Sequence, residues 1–208
     1  MAELQPLIVV VADRSMKATI DAILDRLLVG IKPDSRVMTN YDASVVRDSA
    51  AYLRSFIKSY KYALVMCDRI GCGRNDTREV VEHDIEARLA ANGWSGRSAA
   101  IVIDPELEVW IWQYSPHVAK ALGWRDGRGA LYKWLRDKCY LGTGKIKPQN
   151  PKTALNDALW LKQVRKSSSV FEEVARAVAL DNCADPAFGK LRAVLEKWFP
   201  DTKRRGAL

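Results

Sequence analysis

Carboxylates recur at one kind of place in this sequence: three short apolar runs are each followed by an aspartate. Asp13 follows Leu7–Ala12, Asp68 follows Tyr62–Cys67, and Asp104 follows Ala99–Ile103, with Glu106 and Glu108 close behind. Acids gathered from separate segments repel one another unless they share a cation. A hard divalent ion such as Mg²⁺ takes oxygen ligands, keeps several waters and binds through one or two carboxylates, so the set suits a metal that positions phosphates. In that chemistry Asp68, Asp104, Glu106 and Glu108 are candidate metal ligands, and Asp13 and Asp68 are candidate catalytic residues, Asp13 assisting proton transfer. The competing account is local, because an aspartate at a strand-to-helix junction caps the free N–H groups of the helix and needs no catalytic role.

Cations supply the second pattern. Lys145, Lys147, Lys152, Lys162, Arg165 and Lys166 surround a glycine- and proline-bearing segment, Gly142 to Pro151, and are candidate contacts for nucleic-acid phosphates. A solubilising surface is the plainer reading of the same residues. Tryptophans at 110, 112, 124, 134, 160 and 198 could stack on bases, although their helical spacing beside Leu and Val suits a core.

Other arrangements fail on their spacing. Gly142-Thr-Gly-Lys145 has Cys139 where a phosphate-binding P-loop needs its first glycine, and Ile146 where it needs Ser or Thr. Gly71-Cys-Gly73 has Asp76 where a dinucleotide fingerprint needs its third glycine. Four scattered cysteines, Cys67, Cys72, Cys139 and Cys183, match neither a zinc ribbon nor a disulfide scaffold, which predicts free thiols. The two histidines, His83 and His117, fall within helical patterns and poorly supply a histidine-dependent nucleophile.

The elements that must hold these residues alternate. Leu7–Ala12, Tyr62–Cys67 and Ala99–Ile103 read as strands buried on both faces, and Arg36 to Thr39 as a short fourth. Helices intervene: Ile20, Ile23, Leu24, Leu27 and Leu28 form one stripe with Ser15 as its cap, and Val46, Ala50, Leu53 and Ile57 form a second. Asp76 and Glu79 suggest a capping box for a third helix closed by Asn92-Gly93. Residues 106–112 alternate like a strand but follow Asp-Pro as helices do, and helix is the expectation. Beyond Ser115 the period is helical, in pieces near 116–122, 128–138, 151–164, 169–180 and 186–198. The fold class is therefore α/β, a mostly parallel sheet flanked by helices over residues 1–122, with a basic helical extension over 123–208 packed on it.

Charge is unevenly spread. The 208 residues carry a formal net charge of +8, yet residues 1–113 hold 14 Lys+Arg against 16 Asp+Glu, and residues 114–208 hold 19 against 9. A polyanion would thus meet the C-terminal half. No run of about eighteen apolar residues is present, so no helical membrane span, no membrane partner and a cytoplasmic location are the expectations.

The motifs also resemble a known family. Asp13-Arg-Ser-Met-Lys with the helix that follows, Val65-Met-Cys-Asp-Arg69, and Asp104-Pro-Glu-Leu-Glu-Val-Trp-Ile-Trp112 together resemble an uncharacterised bacterial family, a domain of unknown function related to the Toprim domain, over residues 7–122. The resemblance implies a Toprim-like fold, in which a glutamate acts in acid/base catalysis and an Asp-x-Asp pair holds Mg²⁺. It also implies a setting in bacterial antiphage defence, with nucleic acid and other defence proteins as partners. Two positions depart: Ala12-Asp13 stands where the family has paired acids, and Asp68-Arg-Ile70 stands where it has Asp-x-Asp. Two readings stay open, a module recognising nucleic acid or a partner protein through a decayed metal site, and a Mg²⁺-dependent nuclease.

Overall fold

The computed structural model describes residues 3–181 and 183–200. Four strands, β1 (Gln5–Val11), β2 (Asp34–Val37), β3 (Tyr60–Asp68) and β4 (Ser98–Ile103), form one all-parallel sheet in the order β2-β1-β3-β4. Leu7 to Val11, Ala63 to Cys67 and Ala99 to Ile103 are buried throughout, as continuous apolar runs between two helical layers must be. The fold is thus the expected α/β sheet flanked by helices.

Handedness assigns the layers. The step from β1 to β2 through α1 (Arg14–Leu27) runs opposite to the steps through α2 (Tyr41–Leu53) and α3 (Arg78–Leu89), so right-handed crossovers put α1 on one face and the other two on the opposite face. Met16, Ile20, Ile23 and Leu24 of α1 face the core. Its cap is Asp13 rather than Ser15: Asp13 is the residue with extended backbone, and its carboxylate accepts the Met16 N–H at 2.8 Å. The capping box expected at α3 is also absent. Thr77 occupies the cap position without a side-chain cap hydrogen bond, Asp76 pairs with Arg74 at 2.7 Å and Glu79 with Arg78 at 2.8 Å.

The free edge of β4 is covered. Its outward N–H groups at Ala100 and Val102 would otherwise invite another strand. Glu86 and Glu82, one turn apart on α3, accept them at 2.9 Å each. Lys190 of α9 (Pro186–Trp198) then bridges Glu86 at 2.7 Å and Glu82 at 3.1 Å.

The remaining helices are α4 (Glu108–Ile111), α5 (Pro116–Ala121), α6 (Gly127–Asp137), α7 (Pro151–Leu161) and α8 (Ser168–Ala177). Residues 106–112 thus hold a single helical turn, in which Trp110 and Trp112 are buried and donate their indole N–H groups to Asp185 and to the Pro151 carbonyl. Helix α8 lies along α1, where Arg26 donates to the Ala175 and Val178 carbonyls at 2.7 and 2.8 Å, a cation at a helix C-terminus. Tyr62 of β3 stacks on Trp198 of α9 at 4.7 Å. One apolar core runs continuously from the sheet into α5 to α9. Among the described residues no helix is long and apolar enough to cross a membrane. The terminal basic triplet at 203–205 lies outside the described residues.

Candidate functional site

In this sheet the strand order reverses between β1 and β3, and the crevice outside their carboxyl ends is where an open α/β sheet receives ligands. Register carries two acids there. Val11 pairs with Met66, so Asp13 and Asp68, each two residues further on, leave neighbouring strands at matching positions. Asp68 is 8% exposed, and its Oδ1 has no hydrogen-bond partner. Burial, then the charges of Asp42, Glu108 and Asp13, push its carboxyl well above the usual range against the pull of Lys152.

Asp42, absent from the sequence-derived candidates, is central here. It enters the crevice from the first turn of α2, after Asn40 and Tyr41 take left-handed conformations (φ 65 and 57°) and swing the chain inward. Its Oδ1 accepts the Asp68 backbone N–H at 2.7 Å. Burial raises its pKa, the Asp68 N–H works against that rise, and Asp13 adds to it. Gly71 closes the loop over it: φ is +98°, and a Cβ there would stand 3.3 Å from Asp42 Oδ2. An aspartate beside a helix start reads as an ordinary first-turn acid. Nothing local signals that the helix delivers it to β3.

Two of the basic residues arrive from the C-terminal half. Lys152, in the first turn of α7, lies 2.9 Å from Glu106 Oε2, and Lys166, in the segment after α7, lies 3.0 Å from Glu108 Oε1 and 3.0 Å from Asn156 Oδ1. Both glutamates are buried, at 7% and 4% exposure, so the lysines supply the countercharges that burial demands. For Lys152, burial acts to lower the pKa, but Glu106, Glu108 and Asp68 outweigh it and hold the ammonium above its ordinary value. Asp104 stands apart, paired with Arg69 on the partly exposed rim.

The structure thus brings Asp13, Asp42, Asp68, Glu106 and Glu108 to one crevice together with Lys152 and Lys166. Of the other predicted phosphate contacts, Lys162 sits over the Trp124 ring at 4.1 Å. Lys145, Lys147 and Arg165 form no ion pair among the described residues. All four cysteines are free, with Cys67 and Cys72 buried, and both histidines are exposed.

The donors are hard oxygens, and Asp68 Oδ1 is an orphaned acceptor of the kind a cation satisfies. Glu106 and Glu108, however, already carry ammonium groups, and among the described residues no three His, Cys, Asp or Glu side chains are arranged to hold a metal ion. Glu106 and Glu108 are thus paired with lysines, while the Asp68 oxygen keeps no partner. The chain matches no family model, no curated protein and no solved structure.

Proposed function

We propose that the chain is a Toprim-like module that recognises nucleic acid, its carboxylate crevice held by lysines in place of a metal. The observation that carries this reading is the division of labour among the basic residues. Lys152 and Lys166 reach into the crevice and neutralise Glu106 and Glu108, while Lys145, Lys147 and Arg165 keep no acidic partner and remain available to phosphates. The resemblance places such a module in antiphage defence, where a second protein of the same system would be its further partner. Each phosphate neutralised by a cation releases counterions, so the affinity falls linearly on logarithmic axes as salt rises. The test measures binding of short DNA and RNA across a salt series, with the triple variant Lys145→Glu, Lys147→Glu, Arg165→Glu beside the wild type. A steep salt slope that flattens in the variant is the expected result. Absence of binding at low salt would leave partner recognition as the role.

One observation favours the second reading, a Mg²⁺-dependent nuclease: the unpartnered Asp68 oxygen beside Asp42, Asp13 and Glu108. Incubation with DNA or RNA in Mg²⁺ or Mn²⁺ addresses it directly. Cleavage abolished by Asp68→Asn would establish that reading, and cleavage that persists in the variant would place the chemistry elsewhere.

A further inference from the structure

Trp160 differs from the other tryptophans. Trp94, Trp110, Trp112, Trp124 and Trp198 are buried, whereas Trp160 is 75% exposed and Leu161 beside it 44%. The indole is nonetheless held on a rigid base. Helix α7 closes with Gln163 in the left-handed region (φ 55°), its N–H donating to the Trp160 carbonyl at 3.1 Å and its side-chain amide to the same carbonyl at 3.0 Å. The Val164 N–H reaches the Leu159 carbonyl at 2.9 Å. This paired closure is the Schellman pattern, which usually places glycine where Gln163 stands. Val164 then packs so closely on Gly123 that a Cβ there would meet it at 2.7 Å. The helix end that carries Trp160 is thus fixed by a backbone conformation costly to adopt.

Of the cations that follow it in sequence, Lys162 lies over the Trp124 ring and Lys166 on Glu108, whereas Arg165 is exposed and forms no ion pair among the described residues; Asp157, the acid on α7, accepts a hydrogen bond from the Tyr140 hydroxyl. Lys152, Asn156 and Trp160 recur at intervals of four and so share one stripe of α7. At 1.5 Å per residue the stripe is about 12 Å long. Its far end is the crevice, where Lys152 meets Glu106 and Lys166 joins Asn156 to Glu108.

We propose that Trp160 opens a track for single-stranded nucleic acid, with one base stacked on the indole and the sugar–phosphate chain passing Arg165. The inference rests on the reading of the chain as a nucleic-acid binder and names the form it takes. An exposed indole face accepts any base, and a duplex keeps its bases stacked inside and offers none. Arg165, exposed and without an ion pair among the described residues, offers the charge that a neighbouring phosphate needs.

The experiment compares wild type, Trp160→Ala and Trp160→Phe by fluorescence anisotropy on labelled single-stranded oligonucleotides and on a duplex of equal length, at one fixed salt. Trp160→Ala is expected to weaken single-strand binding roughly tenfold, within the range found for losing one stacked base, and to leave duplex binding unchanged. Trp160→Phe should recover part of the loss. Equal single-strand affinity of Trp160→Ala and wild type would overturn the track while leaving nucleic-acid binding intact. Failure of the wild type to bind any nucleic acid at low salt would remove both. Self-association that disappears in Trp160→Ala, with oligonucleotide affinity retained, would identify the indole as a contact between copies and would also overturn the track.

Discussion

Asp68 is an acid in a place that disfavours its charge. It is buried, one oxygen lacks a partner, and Asp42, Glu108 and Asp13 all oppose its ionisation. Its folded pKa therefore lies above its unfolded one, so the native state holds the proton more tightly. Stability then falls as pH rises from the ordinary carboxylate range through the folded value, and the cost stands in full above it. Asp68→Asn should accordingly stabilise the protein at pH 7 by about 1–3 kcal/mol, the scale of a buried unsatisfied polar group, with the advantage shrinking towards pH 4. Urea unfolding across that pH range reads it, and a pH-independent difference would contradict the assignment. Asp13 is set differently, since its carboxylate caps α1. Asp13→Ala should cost about 1 kcal/mol while Asp13→Asn, which caps equally well, should be close to neutral in thermal unfolding.

Among the elements, β4 depends on α3 for more than packing. Glu82 is buried, accepts the Val102 N–H and is bound by both Arg78 and Lys190. Glu82→Ala would leave a buried N–H unpaired and take one of two acidic partners from both Arg78 and Lys190, a loss of about 3 kcal/mol by the cost of breaking a buried pair. Exposing the Val102 N–H also reopens the sheet edge. Denaturant unfolding should show the destabilisation and light scattering an increase in self-association. Edge protection that survives Glu82→Ala would assign the role to Glu86 and Lys190 instead.

Over the whole molecule, the helices after residue 122 are structural partners of the sheet. Helix α8 covers the face of α1, Arg26 is anchored on α8 carbonyls, and Tyr62 of β3 stacks on Trp198. Lys152 and Lys166 from that half also neutralise buried Glu106 and Glu108. A chain cut after residue 122 should therefore lose cooperative unfolding, because it exposes the outer face of α1 and strands two buried carboxylates. Near-UV circular dichroism and a denaturant titration of residues 1–122 would show it. A sharp transition at wild-type stability would mean that the first part folds alone.

Much of the architecture was legible in the residues themselves. Leu7–Ala12, Tyr62–Cys67 and Ala99–Ile103 are apolar on both faces, which a strand between two helical layers requires, and helices beyond Ser115 follow from the period of their apolar residues. Asp13 and Asp68 were recognisable because strand ends are local features. Three matters belonged to the tertiary structure alone. Asp42 reaches Asp68 through a hydrogen bond across 26 positions of sequence, and Lys152 and Lys166 reach Glu106 and Glu108 across 46 and 58. Asp104, a strand-end acid like the others, is claimed by Arg69. Periodicity reports which face of an element is buried, but which charge meets which depends on how elements far apart in sequence pack, and long-range electrostatic pairing leaves no spacing to read.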